Sequence, residues 1–267
     1  MYDVMKAMAA RESVRTFQEG PLSPNQVRVI STEANRIMAT GGPFAQGISL
    51  RLISGETLGP KATFGVVRHA PAYILGSCSG TREALVDLGF GLEQLVLFIT
   101  ALGFGTCWIA GTYRPGDFAR FMPGEEGSRL AAVTPVGLKK NQKTLVDRTF
   151  KILSGASRRL SFKQWVFTGD FDTPYDEETY GGIFSEVLEG VSRAPSGRNG
   201  QPWRLLLEED RARVHFYVAK SATRYLDIGI AMAHFELGAE ALGITGGLEV
   251  EKHPPRGPYE YILSYRY

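Results

Sequence analysis

Apolar residues recur at three- and four-residue steps through Leu85, Leu88, Leu92, Leu95, Val96, Ile99 and Leu102, and Gly103 follows as a natural stop. The spacing predicts a long, largely buried helix. The stretch has an echo: Asp87-Leu-Gly89 and Ala101-Leu-Gly103 return as Asp227-Ile-Gly229 and Ala241-Leu-Gly243, each 140 positions later, with Leu97 and Leu237 in register. The second copy is more polar and carries His234, Glu236 and Glu240. Upstream, residues 49–53 and 202–206 read as short strands, each after a small-residue loop at 40–47 or 194–200, and apolar runs at 72–76 and 214–218 read as the next strand. Each half therefore runs helix, loop, strand, strand, long helix. The halves are expected over 1–138 and 160–267, with a polar, basic connector at 139–159. The two long helices are expected to pack on each other as two subunits of a symmetric dimer would.

One uncharged stretch, residues 95–113, has the length of a membrane span. Gly103 and Gly105 interrupt it and Glu93 borders it, so no membrane span is expected. The first residues, MYDVMKAMAARESVR, lack an apolar run of signal-peptide length, and a cytoplasmic location is expected.

Composition narrows the function. At 267 residues the chain suits one large domain or two halves, and 43% hydrophobic residues suffice for a sizeable core. Thirty basic against 28 acidic residues leave a formal charge of +2, which argues against nucleic acid or an anionic membrane as partner, so any anion site must be local. Cys78 and Cys107 form neither a Cys-x-x-Cys pair nor a zinc-spaced cluster, which excludes a disulfide scaffold and a structural metal. Phosphate-loop, His-Glu-x-x-His and dinucleotide glycine motifs are absent from the sequence.

Three segments carry candidate chemistry. In Arg11-Glu-Ser13-Val-Arg15-Thr-Phe17 an extended backbone puts Arg11, Ser13 and Arg15 on one side, two guanidinium forks and a hydroxyl suited to a phosphate; a solvated basic patch reads the same way. Ala194-Pro-Ser196-Gly-Arg-Asn199-Gly-Gln201-Pro-Trp203 gathers a hydroxyl and two carboxamides, equipment for the edge of a heteroaromatic ring or simply for a turn. Gly105-Thr-Cys107-Trp108-Ile-Ala110-Gly111-Thr112 is a small-residue turn whose backbone can approach a flat ligand, or a core corner. No histidine stands near Cys107 in sequence to make it a nucleophile.

Taken together, these segments resemble the nitroreductase family of FMN-dependent reductases, carried by RESVRTF at 11–17, DLGFGLEQLVLFITALGFGTCWIAG at 87–111, APSGRNGQPWRL at 194–205 and YLDIGIAMAHFELGAEALGI at 225–244. The length is similar to the subgroup in which two such units are fused. The resemblance implies an α+β fold with mostly antiparallel sheets flanked by helices and two related halves forming an intramolecular pseudo-dimer. It implies that the segment holding Arg11, Glu12, Ser13 and Arg15 takes the FMN phosphate and ribityl chain, and that Pro195, Ser196, Gly197, Asn199 and Gln201 line the flavin from the other half. It places Ile109, Ala110, Gly111 and Thr112 beside the ring, with a backbone N–H facing N5, and Arg158 or Arg159 completing the phosphate site, with Lys139 and Arg148 as alternatives. Lys61 or Arg68 would face the pyrimidine edge.

By the same resemblance NADH or NADPH donates hydride to the flavin, a nitroaromatic, quinone or similar small-molecule electron acceptor removes it in ping-pong order, and no side chain need act as acid or base. The first half has Gly42-Pro43-Phe44-Ala45-Gln46 in place of the Ser/Asn/Gln loop, and the second opens without an Arg-x-Ser-x-Arg segment. One FMN per chain at the seam and a monomeric pseudo-dimer are the expectation. A flavin reservoir or sensor without turnover, and a non-redox protein with a decayed site, are the rival readings.

Overall fold

A computed structural model describes residues 2–59, 61–121, 127–140, 158–210 and 212–267. The expected connector therefore lies outside the described residues from 141 to 157, and Arg148 with it.

Helix starts follow local capping chemistry. Asp3 accepts from the Lys6 N–H to open α1 (Val4–Ala10), Ser23 and Gln26 form a reciprocal capping box on α2 (Pro24–Thr40), and Thr81 caps α3 (Arg82–Ala101). Short helices α4 (Pro115–Ala119) and α5 (Glu177–Tyr180) precede α6 (Ile183–Ser192), and α7 (Arg224–Ala241) is the second copy of the long helix. One sheet holds β1 (Ile48–Ser54), β2 (Ala72–Cys78), β3 (Gly105–Thr106) and β4 (Arg129–Gly137) in the order β1-β2-β4-β3, all antiparallel. The other holds β5 (Val166–Thr168), β6 (Trp203–Leu207), β7 (Arg213–Val218), β8 (Gly247–Glu249) and β9 (Glu260–Arg266) in the order β5-β6-β7-β9-β8, with only β5 and β6 parallel. The α+β class and the four strands read from sequence are found, each within a residue or two of its expected place.

The uncharged stretch at 95–113 is not one helix. Helix α3 ends at Ala101, Gly103 turns at φ +85°, and β3 begins at Gly105. By length and composition α3 itself would cross a bilayer, with mean hydropathy 1.6, yet 72% of that window is buried inside the protein.

What α3 covers is α7. A Cβ on Gly89 would lie 2.2 Å from the Leu226 carbonyl oxygen, and one on Gly229 would lie 2.1 Å from the Val86 carbonyl oxygen. Residues 86 and 89 stand 140 positions before 226 and 229, so this is one contact made twice, as residue pairs are at an isologous interface. The two glycines let the backbones touch, and the flanking side chains then cross over: Val86 and Phe90 of α3 enter the core under the second sheet, while Leu226 of α7 enters the core under the first.

A side chain at this crossing has only main chain to push against. Gly229→Ala is expected to lower stability by about 3 kcal/mol or more, the upper range for overpacking. Gly116→Ala, in α4 with open space around it, is expected to be neutral or slightly stabilising. Thermal melts of the two variants check this, and a Gly229→Ala protein that melts with the wild type would show that the helices can part at no cost.

Candidate functional site

Residues 11–17 are extended because neighbouring chain pins them on both sides. The Val14 N–H donates to the Thr106 carbonyl at 2.8 Å, the Arg68 N–H to the Arg15 carbonyl at 2.8 Å and the Phe17 N–H to the Arg68 carbonyl at 3.1 Å. Val14, Thr16 and Phe17 are buried, Ser13 is exposed and Arg15 half-buried. The alternation that an extended backbone demands is thus present, and it turns Ser13 and Arg15 away from the core.

The loop after α6 is held from beneath. The Asp227 carboxylate accepts from the Gly197 N–H at 2.9 Å and from the Thr223 hydroxyl at 2.7 Å. Arg198, Asn199 and Gln201 all sit at left-handed φ, +51°, +56° and +44°, a conformation that costs each non-glycine residue on the order of 1 kcal/mol. What over-determines it is visible: the buried Gln201 donates to the Arg158 and Asn199 carbonyls and accepts from the Leu160 N–H, and Asn199 Nδ2 donates to the Arg158 carbonyl at 2.9 Å. Arg159 lies across the same loop and donates to the Ala194 and Arg193 carbonyls.

The first half has the same device with a different outcome. Asp87, 140 positions before Asp227, accepts from the Phe44 and Gln46 N–H groups at 2.9 and 2.7 Å. The Phe44 side chain packs against the core of the second half.

Between these pieces is a cavity of about 390 Å³. It is lined by residues 11–16, Trp108, Ala110, Lys139, Lys140, Arg159, residues 195–199, and by Thr223, Leu226, Asp227 and Ile230 on one face of α7. Among the described residues six cations and two carboxylates share the lining, and one carboxylate, Glu12, pairs with Lys139. Arg11 Nε is buried without a hydrogen-bond partner among the described residues. Arg159 is pushed down to about 10, first by burial and then by the like charges of Arg11 and Arg193. A cavity that crowds guanidinium groups and leaves a buried donor unmet is complementary to an anion.

Trp108 supplies a flat wall, and its indole is fixed from behind. Nε1 donates to Glu93 Oε2 at 2.6 Å, Glu93 Oε1 lies 2.9 Å from His234 Nε2, and His234 Nδ1 lies 2.8 Å from the Gly190 carbonyl. A carbonyl only accepts, so Nδ1 carries a proton, and Glu93 and His234 share the one between them. Both residues are fully buried.

Of the residues expected at a site, Arg11, Glu12, Ser13, Arg15, Ala110, Arg159, Pro195, Ser196, Gly197 and Asn199 meet on this cavity. Five do not. Ile109 is a core residue whose N–H and carbonyl both pair with Val133, so its amide is not free for a ligand. Gly111 and Thr112 are exposed beyond the lining, Arg158 contributes its carbonyl while its side chain is exposed, and Gln201 is buried under the loop. Lys61 and Arg68 are exposed and off the lining as well. Lys140 and the α7 face, and the side chains of Arg198 and Trp108 within the candidate segments, carry no assigned role in the sequence reading; Thr223, Leu226, Asp227 and Ile230 keep helical spacing, and Asp227 lies in the repeated Asp-Ile-Gly segment.

Residues 3–239 match the profile of a family described as "Putative TM nitroreductase". Among solved structures, a "putative nitroreductase (tm1586)" from Thermotoga maritima MSB8 is similar over 99% of this chain and 93% of that chain, with 20% identity and a TM-score of 0.64. A nitroreductase with bound FMN from Desulfitobacterium hafniense DCB-2 is similar over 54% of this chain and 93% of that one, with 18% identity and a TM-score of 0.44. No curated protein matches the chain.

Asp227 gives the site a pH signature. Burial raises its pKa from 3.8 to about 6, against the bonds from Thr223 and Gly197 that favour the ionised form. A carboxyl that holds its proton more tightly folded than unfolded makes the protein less stable as pH rises from about 4 through about 6, by up to about 3 kcal/mol for a shift of roughly two units. Asp227→Asn, neutral throughout, is expected to flatten that slope in melts taken from about pH 4 to about pH 7; parallel slopes would assign the titration to another group.

Proposed function

The chain belongs to the nitroreductase family, and on that premise we propose that it is an FMN-dependent oxidoreductase holding one FMN per chain in the cavity between its halves. The observation that carries this reading is the buried Arg11 Nε, unpartnered among the described residues, in a wall that also presents Arg15 and Arg159. When bound, FMN supplies two-electron chemistry, taking hydride from NADH or NADPH and passing it to a nitroaromatic, quinone or similar acceptor in ping-pong order.

The protein's part is binding and position. Arg11, Ser13, Arg15 and Arg159 hold the phosphate, because guanidinium forks bind its oxygens in pairs and three cations offset its charge. Trp108, Ala110, Leu226 and Ile230 exclude water from the flat ring system, and Pro195, Ser196, Gly197 and Asn199 close over it. Asp227 and Gln201 hold that loop in its strained shape from below. A single site follows from the first-half loop, where Phe44 fills space against the opposite core and no Ser/Asn pair is offered. The seam supplies within one chain what a pair of subunits otherwise supplies, so the working unit is a monomeric pseudo-dimer.

Purified protein is expected to show flavin absorption or to take up one equivalent of added FMN, and the bands to bleach when NADH or NADPH is added without oxygen. A protein that takes up no FMN sinks the assignment, bands that neither nicotinamide bleaches leave a flavin binder, and two equivalents per chain contradict the single site. Arg15→Glu replaces a charge-assisted bond with repulsion and is expected to weaken FMN binding by about 100-fold in a fluorescence titration.

A further inference from the structure

Charge is more concentrated at this cavity than one FMN accounts for. The whole chain has a formal charge of +2, whereas the lining alone presents six cations against Glu12 and Asp227. Depth divides the cations. Arg11, Arg15 and Arg159 are half-buried, and Lys139 is paired with Glu12. Lys140 and Arg198 are exposed on the rim, and Arg193 and Arg158 are exposed just outside it, one beside Arg159 and the other directly preceding it. None of these four has an acidic partner among the described residues.

A phosphomonoester carries about two negative charges at neutral pH, and the three inner cations offset the one in FMN. The four outer cations remain. Arg198 also holds its charge at a conformational cost, since its φ of +51° is one that glycine would adopt freely. A neutral aromatic acceptor makes no use of such a rim. The pyrophosphate common to both nicotinamide donors, at roughly two negative charges, answers half of it, and a second phosphomonoester answers the rest.

Resting on the flavin reading above, we propose that the exposed lining cations Lys140 and Arg198 recognise the 2′-phosphate of the donor, with Arg158 and Arg193 outside the cavity left to its pyrophosphate, so that the protein uses NADPH in preference to NADH. The probes are 2′,5′-ADP and 5′-AMP, which differ by that phosphate, titrated calorimetrically into FMN-loaded protein. The first is expected to bind about tenfold or more tighter near 20 mM salt, and the gap to narrow by about 500 mM as screening shortens the reach of the rim. In the paired Lys140→Gln, Arg198→Gly variant, where glycine suits the left-handed backbone, the NADPH-to-NADH ratio of anaerobic bleaching rates is expected to fall by about tenfold.

Equal affinity for the two probes, a gap indifferent to salt, or a variant whose ratio is unchanged would each overturn the NADPH assignment and leave FMN binding standing. Failure to take up FMN would overturn both. A variant that does not fold leaves the two wild-type titrations to decide.

Discussion

The distance between two backbones governs this molecule. Gly89 and Gly229 let α3 and α7 approach until each helix rests on the other's main chain, and Val86, Phe90 and Leu226 are thereby delivered into cores that belong to the opposite sheet. Burial across the crossing ties the stability of each half to the other. Everything at the cavity inherits this geometry: the Arg11–Thr16 side hangs on the first sheet, the 195–199 loop on the second, and Leu226, Asp227 and Ile230 stand on the helix between them.

A pair of aspartates shows how one scaffold serves two ends. Asp87 and Asp227 both accept backbone N–H groups from a loop that leads into a strand, two from the loop before β1 and one from the loop before β6. In one copy the loop carries Phe44, which packs inward; in the other it carries Ser196, Arg198 and Asn199, which remain at a cavity. The scaffold is shared, and side-chain choice in a few positions decides whether the space is filled or offered.

Periodic features were legible in the sequence. The α3 and α7 pattern, the two loops and the strands at 49–53, 72–76, 202–206 and 214–218 all depend on local spacing, and local spacing survives folding when the segment is buried on a regular face. Arg11, Ser13 and Arg15 were legible for the same reason, as alternation along an extended backbone. Ile109 and Gln201 were misplaced because their neighbours' types suggested ligand contact, whereas Val133 and the 158–160 backbone claim their hydrogen bonds first. Lys140 and Arg198 were not legible as cavity-lining residues because that placement comes from a tertiary neighbourhood and not from their own stretch of chain.

The wall behind Trp108 has a consequence for how such a chain can change over generations. Glu93 and His234 form their buried bond once; the positions related to them by the repeat are Ala233 and Gln94. In an assembly of two identical subunits a codon change appears on both sides of the axis, so a buried carboxylate and the imidazole and indole that meet it would have to be accommodated twice. A single chain holding both copies is released from that coupling. Its two sides can be edited independently, and a buried hydrogen bond made once across the seam, backing one wall of one pocket, is a product of that independence.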